Sequence, residues 1–344
     1  MRRAFFMASV LGLLLSAPAH AQDVVKLKFS HWTIATHPVS KWIQAWADDL
    51  RAKSGGKIDI EVFPNMQLGG PVEHYDMVRR GTADLAWILH GYTQDRFPLT
   101  TLFEIPFTVD DAVIASTVVN NPELRAKYLD AEVRGVKTLA NFTNQPMHLF
   151  TANKPIRVPA DLKGLRIRFA GNIIVRRLIE ELGGTPVGVP ASQIADSFQK
   201  GLIDGTLTDH GAVGITFKLG GLIKYTTELK ASLVTFAIVM NPDSYAKLKG
   251  PMKELFDKSI AGQGPELGRL MDSLDAPGKK IAMDAGMQVV PITEAQFAQF
   301  REAGARAEKI VLEEREKAGV PAKAAYAMIK TLVADAKKVA ATKK

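Results

Sequence analysis

The hydrophobic pattern in the first part of the chain changes between a spacing of two residues and a helical spacing. Residues 24–29 (VVKLKF) and 57–63 (KIDIEVF) have the pattern of half-buried strands, and apolar side chains recur at helical spacing over residues 39–50. A second helix over residues 71–80 and a third strand over residues 84–89 follow. This β-α-β-α-β order predicts a parallel sheet covered by helices.

Parallel sheets of this kind bind ligands at the carboxyl ends of their strands. The loop after the first strand contains His31 and Trp32, and the end of the third strand contains Trp87, His90 and Tyr92. The two tryptophans are candidates for a pocket wall, although Trp87 fits a buried strand equally well. Each histidine taken alone is more simply an incidental loop residue. Together these loops form the first candidate site.

A second α/β set is predicted further along the chain. Its strands are expected at residues 165–169, 185–189 and 203–208, with helices at residues 173–182 and 192–200. Residues 233–240 (LVTFAIVM) have the apolar run of a fully buried strand, which we expect to return to the first sheet. Two long amphipathic helices are predicted over residues 294–318 and 322–341.

Two arginines lie on one face of the strand at residues 165–169, because side chains alternate along a strand. For Arg166 an exposed sheet face is a sufficient explanation. Arg168 lies next to Gly171 and Asn172, at the start of the following helix. A guanidinium binds a carboxylate through two parallel hydrogen bonds, so Arg168 is a candidate for binding an anion. On chemistry alone a structural ion pair remains an equal alternative.

Composition mainly excludes functions. The chain has 344 residues, enough for two domains, and no cysteine, which excludes disulfides, thiolate metal sites and a cysteine nucleophile. The net charge of +8 slightly favours anionic ligands, but basic residues are scattered among acidic ones, so nucleic acid is not an expected partner. The sequence has neither the H-E-x-x-H pattern of a zinc site nor the G-x-S-x-G motif of a hydrolase. We therefore expect no enzyme activity, no metal and no other cofactor.

The first residues predict export. Arg2 and Arg3 precede an apolar run over residues 4–15, and Ala19-His20-Ala21 has the small-x-small pattern of a cleavage site. We expect residues 1–21 to be a cleavable signal peptide and the mature protein to be a soluble periplasmic monomer. The apolar run is too short to span a membrane as a helix.

Five short patches carry a resemblance to a known family. They are His37-Pro38, P-x-x-Q-L-G-G at residues 64–70, R-x-G-x-A-D-L-A at residues 79–86, D-L-K-G-L-R-I-R at residues 161–168 and Q-x-G-x-I-D-G at residues 199–205. Each is weak alone, but their order and spacing are fairly specific. With them the chain resembles the substrate-binding proteins of tripartite ATP-independent periplasmic (TRAP) transporters, the DctP-like family.

The resemblance implies an α/β, two-domain fold like that of periplasmic binding proteins, with parallel-rich sheets, a ligand cleft between the domains and a long connecting helix. We expect residues 22–145 and 234–273 in domain I, and residues 146–233 and 274–344 in domain II. Pro277-Gly278 falls where the connecting helix is expected, which predicts a kinked or shorter helix.

The resemblance also implies roles for individual residues. The family arginine that binds the ligand carboxylate falls on Arg168. A second arginine of sialic-acid-type members is replaced here by His148, and a ligand-contacting asparagine is replaced by Thr208. The candidate ligand-binding residues are therefore Arg168, His148, Thr208, Asp209, His210, His31, Trp32, Trp87, His90 and Asn144.

The function implied is a solute receptor that binds a small organic acid for uptake by the membrane permease subunits of a TRAP transporter. Because His148 replaces a second guanidinium, we expect a monocarboxylate, with aromatic or apolar bulk against Trp32 and Trp87. The alternatives are a binding protein for another importer or for a sensor kinase, and then a secreted hydrolase that combines Asp209 and His210 with a serine.

Overall fold

The computed structural model describes residues 24–93 and 96–342, so the predicted signal peptide over residues 1–21 lies outside the described residues. The strands, in chain order, are β1 (Val25–Ser30), β2 (Ile58–Phe63), β3 (Leu85–Leu89), β4 (Lys137–Thr143), β5 (His148–Thr151), β6 (Arg166–Phe169), β7 (Thr185–Gly188), β8 (Gly205–Thr208), β9 (Tyr225–Thr227), β10 (Thr235–Met240) and β11 (Gln288–Val289).

The α-helices alternate with these strands in the first two thirds of the chain and dominate the last third. In chain order they are α1 (Pro38–Lys53), α2 (His74–Arg80), α3 (Ala112–Val118), α4 (Pro122–Leu124), α5 (Ile173–Glu181), α6 (Ile194–Gln199), α7 (Pro242–Ala246), α8 (Gly250–Ile260), α9 (Gln263–Asp272), α10 (Asp275–Asp284), α11 (Glu294–Lys317) and α12 (Ala322–Ala341).

The first sheet has the strand order β2-β1-β3-β10-β4, and we call it, with its helices, the first lobe. Strand β1 pairs in parallel with β2 and β3, as the β-α-β-α-β pattern predicts. Strand β10 returns from far along the chain and runs antiparallel to both β3 and β4. Every residue of β10 is buried, which explains its uninterrupted apolar sequence and confirms the predicted return to this sheet.

The second sheet has the strand order β11-β9-β5-β8-β6-β7, and with its helices it forms the second lobe. Strand β6, which contains Arg168, pairs in parallel with β7 and β8. Strand β5 pairs antiparallel with β8 and β9. Both sheets are therefore mixed. The segments that join β4 to β5 and β9 to β10 cross between the lobes.

The connecting helix is divided into α9 and α10. Helix α9 packs on the first lobe, where Leu267 and Met271 join the core beneath β3 and β10. Helix α10 lies on the π-helical turn Ala212–Thr216 of the second lobe. The two helices are separated at Ser273 and Leu274, because the ring of Pro277 cannot donate a hydrogen bond and collides with the carbonyl of residue 273 in a continued helix.

The two last helices bridge the lobes. Helix α11 packs along α5 of the second lobe, and α12 contacts α3 of the first lobe through a core that includes Tyr326, Ile329 and Val333. The sequence-based domain boundaries stay a prediction. None of the helices found in residues 24–93 and 96–342 is both long and apolar enough to cross a membrane.

Gly278 allows α10 to lie directly on the backbone of the second lobe. A Cβ atom at this position would be 2.3 Å from the carbonyl oxygen of His210 and 2.6 Å from Cα of Gly211. Backbone atoms cannot move aside as a flexible side chain can, so a side chain here must push the helix away. The attachment of the connecting helix therefore depends on this glycine.

We expect Gly278→Ala to lower the free energy of unfolding by about 1–3 kcal/mol, as overpacking usually does, although alanine favours helices. Urea denaturation measures this change. Met283→Ala is the matched control, because Met283 is 47% exposed on the same helix and its truncation should leave stability nearly unchanged. Equal stability of the Gly278→Ala variant and the parent protein would contradict the close packing.

Candidate ligand-binding site

A cavity lies between the lobes, at the carboxyl ends of β3, β6 and β8. Its wall is largely apolar, with a few convergent polar groups, which is typical of small-molecule sites. The first lobe contributes Trp32, His37, Trp87, Leu89, Tyr92, Glu104 and Phe236, and the second contributes Arg168, Ala170, Asn172, Ala191, Leu207, Thr208, Asp209, Thr216 and Phe217. Met271 and Leu274 close it from the side of the connecting helices.

Arg168 is the cationic group of this cavity. Its side chain is only 3% exposed, and its Nε donates to the carbonyl oxygen of Val189 at 2.9 Å. No carboxylate within the described residues forms an ion pair with it. Burial lowers the pKa of Arg168 from its usual value, whereas a neighbouring carboxylate would raise it. The guanidinium is thus buried, and no described residue of the chain provides a counterion for it.

Arg166 provides the contrast on the same strand. It forms a two-point ion pair with Asp204, with Nε–Oδ2 and Nη2–Oδ1 distances of 2.9 Å, and its side chain is 43% exposed. The alternation along β6 thus separates a solvent-facing arginine with a partner from a buried arginine that faces the cavity.

Aromatic rings form the wall opposite the strand ends. The ring centroids of Trp32 and Trp87 are 5.0 Å apart, and Phe217 lies 6.4 Å from Trp32. The guanidinium carbon of Arg168 lies 6.0 Å from the Phe217 ring centroid, at the limit of a cation–π contact. Trp87 is fully buried against the core, whereas Trp32 and Phe217 are half-buried at the outer wall. Flat apolar faces therefore flank the buried cation.

Three hydrogen bonds connect the lobes across the cavity. The backbone N–H of Ala191 donates to Tyr92 Oη at 2.9 Å, and the Asn172 amide donates to the Glu104 carboxyl group. His37 and Thr216 form the third, at 3.2 Å. Because His37 Nδ1 accepts the N–H of Val39 at the start of α1, its proton is on Nε2 and is donated to Thr216 Oγ1. These bonds hold the lobes in a closed arrangement.

Two buried carboxyl groups line the cavity, and each accepts hydrogen bonds from neighbouring groups of the protein. Glu104 accepts hydrogen bonds from the N–H and hydroxyl of Thr235, at 3.0 and 2.6 Å, besides the Asn172 amide. Asp209 accepts from the Asn144 amide and the N–H of Ala212, both at 2.7 Å. Burial raises the pKa of Glu104 to about 7 and that of Asp209 to about 6, although the hydrogen bonds act in the opposite direction.

Six of the ten sequence-predicted site residues line this one cavity: Arg168, Thr208, Asp209, Asn144, Trp32 and Trp87. The four histidines lie elsewhere. His148 Nδ1 accepts the N–H of Lys230, and its ring lies against that of His210, with centroids 4.7 Å apart and planes tilted by 49°, beside a separate groove lined by Glu228 and Lys279. His90 is enclosed against Phe97, and His31 lines an outer groove.

Several cavity residues were not named as candidates from sequence, among them His37, Glu104, Asn172 and Phe217. The first two belong to recognisable patches, His37-Pro38 and the E-I-P-F stretch at residues 104–107, but neither patch indicates which side chain faces a ligand. Asn172 has the position of a helix N-cap, and its Oδ1 indeed accepts the N–H of Ile174. Only its amide group, on the opposite side, reaches the cleft.

The described residues contain no cluster of three or more histidine, aspartate or glutamate side chains arranged to hold a metal ion. The chemistry of the cavity is instead that of an anion site with an apolar wall. It provides a buried cation, hydrogen-bond donors and acceptors from both lobes, and a means of excluding water.

A sequence profile of the bacterial extracellular solute-binding protein family 7, DctP, matches residues 29–314. This chain belongs to the DctP family. The family resemblance inferred from the five sequence patches is confirmed. Members of this family are the substrate-binding proteins of transporters, so the chain is a solute-binding protein of the TRAP class.

Solved structures share the fold over nearly the whole chain. A TRAP solute-binding protein from Rhodoferax ferrireducens T118, with copurified benzoate, has a TM-score of 0.86 and 29% identity over 92% of this chain and 100% of that one. A marine metagenome protein specific for aromatic acids, with 3-hydroxybenzoate, has a TM-score of 0.85 and 29% identity over 91% and 99%. The predicted two-domain α/β fold of DctP proteins is confirmed.

Another relative is named for a different class of ligand. The C4-dicarboxylate-binding periplasmic protein DctP of Rhodobacter capsulatus is 25% identical over 255 residues, which are 74% of this chain and 76% of the relative. TRAP solute-binding proteins bind small organic acids and work with membrane permeases, and membership in the DctP family alone does not define which acid.

The buried histidines make the fold sensitive to acid. Burial lowers the pKa of His31, His37 and His90 to about 4 and that of His148 to about 3. Below pH 6.5, the ordinary histidine value, the unfolded chain binds protons that the folded chain excludes, so stability is lost as the pH falls towards 4. The raised pKa values of five carboxyl groups, Glu104, Glu132, Asp209, Asp272 and Asp275, act in the opposite direction and offset part of this loss.

We expect the melting temperature to fall when the pH is lowered from 7 to 5, and to fall by less in His148→Asn. The asparagine oxygen can accept the N–H of Lys230 as Nδ1 does, but it does not titrate. The variant should regain up to about 2 kcal/mol of stability at pH 5, a shift of a few degrees. Thermal unfolding at both pH values measures it, with pH 7.5 as the internal control. Parallel curves for the two proteins would disprove the neutral buried state of His148.

Proposed function

We propose that this chain is an exported periplasmic receptor that binds a small organic acid and presents it to a TRAP-type membrane permease, and that Arg168 binds the carboxylate. The supporting observation is the buried guanidinium of Arg168, which has no carboxylate partner within the described residues. A buried cation in such a state is costly, and a bound carboxylate would remove most of that cost through charge-assisted hydrogen bonds.

The ligand we propose is a monocarboxylate. Among the described residues that line the cavity, Arg168 is the only arginine or lysine. The carboxyl groups among the same residues are those of Glu104 and Asp209. A second carboxylate on the ligand would lie among these two acids rather than beside a second cation, and like charges at close range are unfavourable. The charge pattern therefore favours a single acid group.

The body of the ligand is proposed to be aromatic or apolar. Trp32, Trp87 and Phe217 provide flat faces beside Arg168, and aromatic rings prefer offset or edge-to-face contacts with such faces. The relatives with benzoate and 3-hydroxybenzoate support the same class. The C4-dicarboxylate relative argues for a different class, but it is less similar to this chain.

The cavity must enlarge to admit a ring. It encloses about 50 Å³, whereas an apolar protein cavity of roughly 150 Å³ binds benzene. The half-buried rings of Trp32 and Phe217, at the outer wall, are the side chains with room to move. Binding thus requires outward movement of this wall, and domain closure around the ligand follows.

Benzoate, benzamide and succinate distinguish the proposed ligand class from its competitors. The protein is purified, unfolded and refolded to remove any carried ligand, and its melting temperature is measured with each compound. At 100 times the dissociation constant a ligand stabilises the fold by about 2.7 kcal/mol. Benzoate should raise the melting temperature, and neutral benzamide and dianionic succinate should not. A response to benzamide equal to that of benzoate would refute the carboxylate anchor.

Arg168→Met should abolish benzoate binding while leaving the ligand-free protein at least as stable as the parent. Methionine keeps much of the apolar volume and removes a buried charge that lacks a counterion, so the ligand-free fold loses little. Loss of two charge-assisted hydrogen bonds should weaken binding by at least about a hundredfold. Isothermal titration and thermal unfolding measure the two effects.

Arg166→Met is the matched control on the same strand. It removes an arginine of equal length that is exposed and paired with Asp204, so it should bind benzoate normally and be slightly less stable. Undiminished binding by a folded Arg168→Met variant would contradict the proposal.

A further inference from the structure

The hydroxyl group of Tyr92 has a position that the anchor role of Arg168 does not explain. Tyr92 follows β3 in the first lobe, is buried, and lines the same cavity as Arg168. Its Oη accepts the backbone N–H of Ala191, from the second lobe, at 2.9 Å. The Arg168 guanidinium is held by the same short segment, because its Nε donates to the carbonyl oxygen of Val189, two residues before Ala191. One side chain of the first lobe therefore reaches the segment of the second lobe that holds Arg168.

The direction of the bond between Ala191 and Tyr92 is fixed by chemistry. A backbone N–H can only donate, so the hydroxyl oxygen accepts this bond. Its own proton is then left to donate. Within residues 24–93 and 96–342, no acceptor is hydrogen-bonded to this proton. A buried hydroxyl group with an unused donor indicates that an acceptor is supplied from outside the chain.

We infer that Tyr92 donates this proton to the carboxylate of the ligand, so that the acid is bound by Arg168 from one lobe and by Tyr92 from the other. The inference rests on the proposed function, because it requires a carboxylate at Arg168. With Nε bonded to Val189, the Nη groups remain for the ligand. A carboxylate on them lies near Tyr92 Oη, since Arg168 and Tyr92 line the same cavity and are bonded to residues only two positions apart, Val189 and Ala191.

A glycine at residue 171 allows the two lobes to approach closely at Tyr92. Gly171, at the end of β6, has a φ of +85°, which favours glycine, and a Cβ there would be 3.2 Å from both Tyr92 Cδ1 and the carbonyl oxygen of Gly91. A side chain at residue 171 would thus meet the Tyr92 ring. The absence of one lets the ring lie against the strand end that carries Arg168.

This geometry gives the ligand a direct part in closure. A carboxylate bound by Arg168 alone would contact only the second lobe, and it would not favour the closed arrangement through its charge. A carboxylate that also accepts the Tyr92 proton contacts both lobes at one point. The ligand then binds the closed state of the protein more tightly than the open state. This difference in affinity is the condition for a ligand to shift the equilibrium between the two states.

Tyr92→Phe tests the inference by removing the hydroxyl group and keeping the ring. Isothermal titration with benzoate should give a dissociation constant about ten- to a hundredfold higher, as expected for a lost hydrogen bond to a charged group. Tyr75→Phe is the matched control. Tyr75 is also buried in the first lobe, and its hydroxyl donates to the Arg134 carbonyl at 2.6 Å, away from the cavity. It should lose stability but keep its affinity for benzoate.

A second measurement separates direct contact from a purely structural role. A tyrosine hydroxyl proton held by a carboxylate exchanges slowly and gives a downfield proton NMR resonance. This resonance should appear when benzoate is added to the parent protein, persist in Tyr75→Phe and be absent from Tyr92→Phe. Because it is seen in the parent protein, the test remains decisive even if Tyr92→Phe fails to fold.

The outcomes distinguish this inference from the proposed function. If the parent protein binds benzoate and Arg168→Met does not, the anchor stands. Unchanged affinity in folded Tyr92→Phe, or no ligand-dependent resonance in the parent protein, then overturns the role of Tyr92 alone. If benzoate and other small acids all fail to bind the parent protein, both the proposed function and this inference are wrong.

Discussion

The burial of one guanidinium group organises the cleft. Arg168 is held by the Val189 carbonyl and by a cation–π contact with Phe217 at the limit of its range, neither of which carries a negative charge. Transfer of a cation from water into such surroundings is unfavourable unless it is paired. The fold tolerates it because strand β6 is fixed between two parallel neighbours, which leaves Arg168 no route back to solvent.

The two buried carboxyl groups explain why the cation is not neutralised from within the described chain. Glu104 and Asp209 line the same cavity, yet each is bound by neutral donors on its own side: Thr235 and Asn172 for Glu104, and Asn144 and the Ala212 N–H for Asp209. These bonds hold the carboxyl groups in place on their own sides of the cavity. The Nη groups of Arg168 are thus left without a carboxylate partner from the described residues.

Much of the fold follows from local patterns in the sequence. The strands of the first lobe, the return of β10 and the bounds of α11 and α12 follow from apolar spacing, because each element buries one regular face or is buried entirely. Arg168 could be selected in the same way, from the alternation along β6. The break between α9 and α10 follows from the covalent chemistry of Pro277.

The rest of the site depends on pairs that no local pattern reveals. Tyr92 and Ala191 are 99 residues apart, and His37 and Thr216 are 179 apart. These residues lie on turns without periodicity, so their partners are determined only when the two lobes meet. His148 illustrates the opposite case. Its sequence position opposite a family arginine suggested a ligand contact, yet β5 lies beyond β8 from β6, which turns its ring towards His210 and Glu228.

The same residues of this cleft therefore determine both the closure of the lobes and the choice of ligand. The three hydrogen bonds between the lobes, from Ala191, Asn172 and His37, surround the cavity and involve residues that also form its wall. Any ligand that fits poorly must lengthen at least one of them. A difference of 1.4 kcal/mol between two ligands changes their affinity tenfold. The shape of the wall and the buried guanidinium of Arg168 consequently act together on which acid the closed state accepts.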